Sequence, residues 1–509
     1  MSQYADGDSG ASAHERDIAE QENMGVGRYI ATRLPSLKPP MNKAPNPIKV
    51  LMLLNRQQWL FFLVAFFGWT WDAFDFFTVS LTITDLARTF SRDDPSITNK
   101  DITWGITLVL MLRSVGAIIF GIAADRYGRK WPFVVNNILF IILELATGFC
   151  QNNQQFLTVR ALYGIAMGGL YGNCAATALE DCPEAARGIL SGMLQQGYAF
   201  GYLLATVFAR ALVDTTSHEW RPLFWFGACP PILIIAFRLC LPETQAYQER
   251  ERVREAKGNL TSTFVSEGKY AMRGDIANIW QSHGSQDLYP TMLENQYEFS
   301  ENAVTVTQVV ANLGAMAGGT TIGYSSQIFG RRFSIIIISI IGGALLYPYS
   351  FVGGHKIIAA AFFEQFCVQG AWGVIPIHLM ELSPGSFRTF VVGTSYQLGN
   401  LVSSASSTIE ATIGERFPLP PTEDGTHRYE YGKVICIFMG CVFAYVIVLT
   451  VIGPEYLGRS MRVAHDSDML EVAGADIVKT VGNTHHAPDR SDSSDGDGDG
   501  DVEKGRQHL

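Results

Sequence analysis

The sequence predicts an all-α membrane protein: two six-helix bundles, twelve transmembrane helices in all, joined by a central cytoplasmic loop. Three observations carry that expectation. Charged residues are 17% of the 509 and hydrophobic ones 48%, a charged share well under the about 25% of soluble domains. Apolar segments of about 20 residues, long enough to cross a bilayer, recur along the chain. The halves also repeat. Gly121, Asp125, Gly128, Arg129 and Lys130 return 202 residues later as Gly323, Gln327, Gly330, Arg331 and Arg332. Glu180, Pro183 and Arg187 return 201 later as Glu381, Pro384 and Arg388. Repeats of this size are typical of transporters.

In chain order, residues 1–56 form a polar tail. It carries Pro39, Pro40, Pro45 and Pro47 before any apolar run, so no cleavable signal peptide is expected. Spans are expected near 57–82, 102–124, 132–150, 155–178, 189–213 and 221–241, a first bundle over 57–241. The central loop is 242–275. The second bundle, 276–453, has spans near 276–293, 302–326, 333–353, 356–380, 389–411 and 433–453. The segment 454–509 ends in an acidic tract and reads as a disordered, solvated tail.

Lys38, Lys43, Lys49 and Arg56 before the first span, with Arg250, Arg252 and Arg254 in the central loop, place both termini in the cytoplasm. A plasma-membrane location is expected, with Asn259-Leu260-Thr261 in the cytosol and unglycosylated. The eight cysteines lie in or beside apolar runs without metal-type spacing and read as buried free thiols. The histidines show no HExxH pattern, so neither metal nor cofactor is expected. No nucleic-acid partner is expected either.

The densest polar stretch in a position to span is 278–291. On a helix, Asn278, Ser282 and Ser285 cluster on one side, and His283 and Asp287 lie one turn apart on the other. Such a segment must be surrounded by protein or line a watery cavity. Ser282, His283, Ser285 and Asp287 are triad residue types, but neighbours on one helix cannot adopt triad geometry. No nucleophile elbow is present, so the chain does not read as an enzyme.

Gly121-Ile-Ala-Ala-Asp125-Arg126-Tyr-Gly128-Arg129-Lys130 resembles the loop between spans two and three of the major facilitator superfamily, with Gly330 and Arg331 in the second copy. The resemblance covers about 50–455 and implies a rocker-switch transporter. Gly128 permits a tight turn. Asp125 can pair with a basic group or a helix N-terminus, a contact that must break for inward opening. Gln327 replaces the acid in the second copy, so any charge latch is asymmetric. The stretch Asn278…Ser282-His283-x-Ser285-Gln286-Asp287…Thr291 resembles the signature of Jen-type fungal monocarboxylate/proton symporters, in the sialate/proton symporter group. The His-to-Thr part fits, while Asn278 sits one residue early. Residues 258–277 are also too polar for the first half of span seven. Either that helix is truncated or an exon has been lost or replaced.

An ionised group near mid-bilayer costs at least ~2.5–3.5 kcal/mol and needs a reason to be there. Arg113 is the best anion-binding candidate; the alternative is a structural partner for Glu144 or for an aspartate of span one. Asp72 and Asp75 share a face of span one, as in first spans of organic-acid/proton symporters, and read either as proton carriers or as partners of Arg113 or Arg160. His283 with Asp287 is the other candidate proton relay. Arg160, Glu144, Glu364 and His378 are assigned to structural pairing or interfacial placement. Gln397 and Asn400 offer amides to a substrate or to a neighbouring helix. Gly164-x-x-x-Gly168-Gly169 and Gly314-x-x-x-Gly318-Gly319 have the spacing of close helix packing. The resemblance implies uptake of a short carboxylate (lactate, pyruvate or acetate) with a proton, by a chain functional as a monomer. A dicarboxylate carrier and a non-transporting sensor or defective paralogue are the alternatives.

Overall fold

Local chemistry sets where the helices start and break. In the computed structural model, which describes residues 37–42, 46–92, 94–97, 99–213, 215–256, 289–383, 387–404, 413–414, 416–420, 428–459 and 461, span one is Arg56–Leu81. A capping box opens it: Gln58 N–H donates to Asn55 Oδ1 at 2.8 Å, and Asn55 N–H donates to Gln58 Oε1 at 2.9 Å. Spans two and three are Asn99–Tyr127 and Lys130–Gly148. Span four is broken at paired glycines into Asn153–Gly168 and Leu170–Leu179, and span five is Arg187–Leu212. Span six is broken by prolines into Arg221–Gly227 and Pro230–Leu239. Pro231 has no N–H for the Gly227 carbonyl, and Trp71 Nε1 donates to it instead at 2.6 Å.

Spans eight to twelve are Glu301–Phe329, Arg331–Phe351, Lys356–Leu382, Arg388–Ser403 and Tyr431–Ile452. Of the expected seventh span only Tyr289–Asn295 is a described helix, and 276–288 lies outside the described residues. The central loop differs from expectation in holding a helix, Gln245–Ala256. Its Arg250 pairs with a buried acid of the first bundle, which gives that helix a docking point.

Seven described helices are long and apolar enough to cross a membrane, by length and composition alone. Position explains which. Span twelve is the more apolar and lies mostly at the outside of the bundle, whereas span one is more polar and mostly buried. Spans five and eight, at 26 and 29 residues, are long enough to cross yet too polar to be among the seven. They pack against each other where the halves meet, so protein rather than lipid surrounds their polar groups.

The halves join along two seams, span five on eight and span two on eleven, and the repeat converts one seam into the other. Within each half, glycines bring backbones together. A Cβ on Gly116 would lie 1.9 Å from Ile165 O, and one on Gly168 would lie 1.9 Å from Arg113 O. In the second half a Cβ on Gly318 would lie 2.0 Å from Phe366 O. No side chain fits there, so spans two and four, and eight and ten, touch backbone to backbone. The cysteines are free, but Cys229, Cys240 and Cys441 are exposed rather than buried. They sit on spans six and twelve or just beyond span six, at the periphery, where a thiol meets solvent or lipid at little cost.

Candidate functional site

Arg113 lies at the middle of span two and is 1% exposed. Its Nη2 donates to Asp72 Oδ2 at 3.1 Å and contacts Met167 Sδ at 3.1 Å, and its guanidinium lies over the Phe76 ring. Asp72 is therefore the partner, not Glu144. The pair is incompletely satisfied: Asp72 Oδ1 and Arg113 Nε have no hydrogen-bond partner. Asp75, one turn further on, belongs to a separate group. Tyr163 OH donates to its Oδ2 at 2.6 Å, and Arg160 pairs with Glu144 at 3.4 Å. The two aspartates of span one thus have different partners.

Toward the second half, an aromatic cluster bridges the bundles. Tyr396 of span eleven stacks on Tyr171 of span four at 3.7 Å, with Trp69 and Trp372 edge-on at 5.7 and 5.2 Å. Tyr396 lies within reach of the charges of Arg113 and Asp72. Next to it, Asn400 Nδ2 donates to Gln397 Oε1 at 2.7 Å, while Gln397 Nε2 has no partner. The packing of span two on span eleven therefore brings Tyr396 near Asp72 and Arg113, with Gln397 and Asn400 on the same stretch of span eleven. Asn278, Ser282, His283, Ser285, Gln286 and Asp287 lie outside the described residues. The sequence reading did not anticipate the aromatic cluster, since its members are far apart in sequence and of types common in any core.

At the basic end of the bundle, the repeated motif forms two charge clusters. Gly128 and Gly330 both take positive φ, 93° and 91°, as the turns require. Arg129 donates from Nη2 to Glu180 Oε1 at 2.7 Å and from Nε to Oε2 at 3.2 Å, and pairs with Asp125 at 3.1 Å. Arg250 and Arg388 approach the same Glu180 at 2.9 and 3.7 Å. In the second copy Arg331 holds Glu381 at 3.1 Å. Asp125 reaches the other bundle: Thr389 and Phe390 N–H donate to its two oxygens at 3.1 and 2.7 Å, capping span eleven. Gln327 instead accepts from Arg331 Nη2 at 2.8 Å. Beside this cap, a Cβ on Gly121 would lie 2.7 Å from Phe390 Cα.

Lys130 Nζ donates to the Leu239 and Leu241 carbonyls at 2.8 and 2.9 Å. Arg126 is exposed, with its guanidinium over the Tyr127 ring. Two acids escaped the sequence reading. Lys130 N–H donates to Glu243 Oε2 at 2.9 Å, and Arg331 and Arg332 N–H donate to Glu455 at 3.1 and 2.9 Å. The signal was there: Pro242-Glu243 returns as Pro454-Glu455, but 212 residues later and so outside the register of the other motifs. Ser191 of span five also went unnoticed. It donates to Gly373 O at 2.7 Å and accepts from Ile377 N–H at 3.1 Å, bridging a helical step of span ten from the other half.

Two bundles related by a repeat, meeting along exchanged seams and closed at one end by paired motif loops, define a major facilitator transporter, a multi-pass membrane protein and not an enzyme. The chain belongs to the family described as sugar (and other) transporter, which matches residues 57–282 and 285–466. It is 37% identical over 481 residues to a carboxylic acid transporter protein homolog of Saccharomyces cerevisiae, covering 88% of this chain and 77% of the relative. It is 26% identical to a cis,cis-muconate transport protein of Acinetobacter baylyi, over 69% of this chain and 86% of the relative. Among solved structures, the proton:xylose symporter XylE superposes with a TM-score of 0.64 at 18% identity, over 80% of this chain and 98% of that one. That likeness is one of fold.

Proposed function

We propose that this chain couples proton influx to uptake of short-chain monocarboxylates such as lactate, pyruvate and acetate, across the plasma membrane, as a monomer with both termini cytoplasmic. The buried Asp72–Arg113 pair carries the reading. A guanidinium in this place needs an anion, and Asp72 already supplies a carboxylate like the one the substrate would bring. A proton on Asp72 cancels its charge and frees Arg113, whose planar fork then receives the substrate carboxylate. The site is neutral overall before and after loading, so the loaded state adds no net charge to the low-dielectric core. Gln397 and Asn400 orient the hydroxyl of lactate or the keto oxygen of pyruvate. His283 with Asp287, and Asp75, are further proton stations, and Asn278, Ser282, Ser285 and Gln286 are further substrate contacts.

Carboxylate as the substrate class is supported by the names of the yeast and Acinetobacter relatives. One carboxylate rather than two is favoured because Arg160, a second buried cation of the first bundle, pairs with Glu144 in a group separate from Asp72 and Arg113. Arg113→Ala is expected to abolish acid-driven lactate uptake in a transporter-null host with surface expression retained; full uptake by the variant removes Arg113 from the mechanism. Strong competition by malate or succinate would turn the assignment to dicarboxylates. Absence of any acid-driven uptake by the unaltered chain would favour a sensor.

A further inference from the structure

We infer that Glu364 of span ten carries a proton in this conformation and releases it during the transport cycle, a second proton station in the second bundle. The inference rests on the proton-coupled reading above. Glu364 is 0% exposed, and neither carboxylate oxygen has a hydrogen-bond partner. Of the structural pairing or interfacial placement expected for it, the pairing is not found: among the described residues no cation pairs with it. It lies about 12 Å from the Lys356 end of its helix, at ~1.5 Å rise per residue. Among the described residues, the titratable groups its charge reaches are Tyr289 of span seven, Cys436 of span twelve and Cys367 on its own span. Tyr349 of span nine stacks on Tyr289 at 4.1 Å. Span eight approaches through Gly314 and Gly318, against the Phe362 and Phe366 carbonyls. None of these supplies a positive charge. An unpaired carboxylate here would meet the full desolvation penalty, whereas a neutral acid avoids most of it.

The repeat shows what is unusual. Glu364 stands 201 residues after Tyr163, the same shift that relates Ile165 to Phe366, whose carbonyls face Gly116 and Gly318. Tyr163 uses its position to hold Asp75 by a hydrogen bond. In the second bundle the acid occupies that position itself, and among the described residues neither of its oxygens is hydrogen-bonded. A purely structural group would have partners, and an apolar residue would fill the space without cost; an intramembrane acid left unheld is suited to gaining and losing a proton.

The test uses the full chain in liposomes. Glu364→Gln keeps the volume and the neutral state, so the fold is expected to persist. Lactate accumulation driven by a pH gradient should fall by about tenfold or more, while lactate counterflow, which needs no net proton movement, persists. Accumulation with unchanged pH dependence in the variant overturns the inference. So does loss of counterflow together with accumulation, which would mark a structural role. Independently, dicyclohexylcarbodiimide attaches to protonated carboxyls in apolar surroundings. Mass spectrometry of the unaltered chain at neutral pH should find Glu364 modified, and an unmodified Glu364 overturns the inference even if the variant fails to reach the membrane. If the unaltered chain shows no pH-driven accumulation, the transport reading fails, while the carbodiimide result still decides the protonation of Glu364.

Discussion

At the end of span two, Asp125 leaves its own bundle to cap span eleven; at the matching end of span eight, Gln327 turns back to Arg331. The surrounding clusters differ in the same direction. Glu180 gathers three guanidiniums, from span three, from the connecting helix and from span eleven of the other half. Glu381 has Arg331 and the backbone N–H of Gly458. One repeat therefore closes the interface with charge, while its copy mainly stabilises its own bundle. The difference teaches that a duplicated motif need not keep a duplicated role. Opening this end of the molecule has to break the Asp125 cap and the Glu180–Arg388 pair, which have no counterpart on the other seam among the described residues.

The comparison breaks most clearly at the two glutamates. Glu180→Ala removes the buried carboxylate that Arg129, Arg250 and Arg388 share, and a loss of about 3–5 kcal/mol is expected. Glu381→Ala should cost less, and thermal unfolding in detergent would show equal losses if the clusters were equivalent. Burial alone would raise the Glu180 carboxyl, but Arg129, Arg250 and Arg388 outweigh it and hold the group well below the usual range. Its folded value being depressed, its contribution is fully present above the unfolded value of about 4.3 and is lost as pH falls from there through the folded value. Unfolding temperature in the unaltered chain should therefore not decline on this account between neutral pH and about 4.3. A decline there, absent from Glu180→Gln, would contradict the assignment.

The turn glycines give a smaller contrast. Alanine at either Gly128 or Gly330 forces a positive φ at a cost of ~1–3 kcal/mol. Gly128→Ala should be the worse, because its Cβ would come within 2.4 Å of Glu243 Oε2 against 3.5 Å from Glu455 at Gly330. Relative unfolding temperatures check the order.

The smallest effect on stability is the sharpest on function. Asp125→Asn removes a charged cap and the pair with Arg129, about 1–2 kcal/mol favouring inward opening. A cysteine placed on the inter-half surface should then label faster from the membrane side that this end of the molecule faces. Gln327→Ala should change labelling less, and Gln327→Asp should slow it if a second acid can cap span five as the first caps span eleven.

Much of this molecule was legible before any coordinates. The twelve-span pattern follows from hydropathy, the superfamily from Gly121–Lys130, and the asymmetric latch from Gln327 standing where an acid was expected. Close packing followed from the spacing of Gly164, Gly168, Gly314 and Gly318. Other features were hidden because they depend on which faces meet. Arg113 had Glu144, Asp72 and Asp75 as candidate partners, and only the rotation of span one against span two selects Asp72. Glu243 and Glu455 repeat out of register because the chain from Arg388 to the start of span twelve at Tyr431 is longer than the matching stretch from Arg187 to the start of span six at Arg221.

The sequence by itself determined that this is a duplicated helical bundle for a membrane, because apolar length, repeat offset and turn glycines are properties local to the chain. The tertiary structure decided which ionisable groups are compensated and which are not: Arg113 answered by Asp72, Glu180 shared by three arginines, Glu364 answered by nothing among the described residues. The physical reason is desolvation. The cost of a buried charge is set by what lies within a few ångströms of it, and helices far apart in sequence supply those neighbours only once glycine contacts have fixed how they pack.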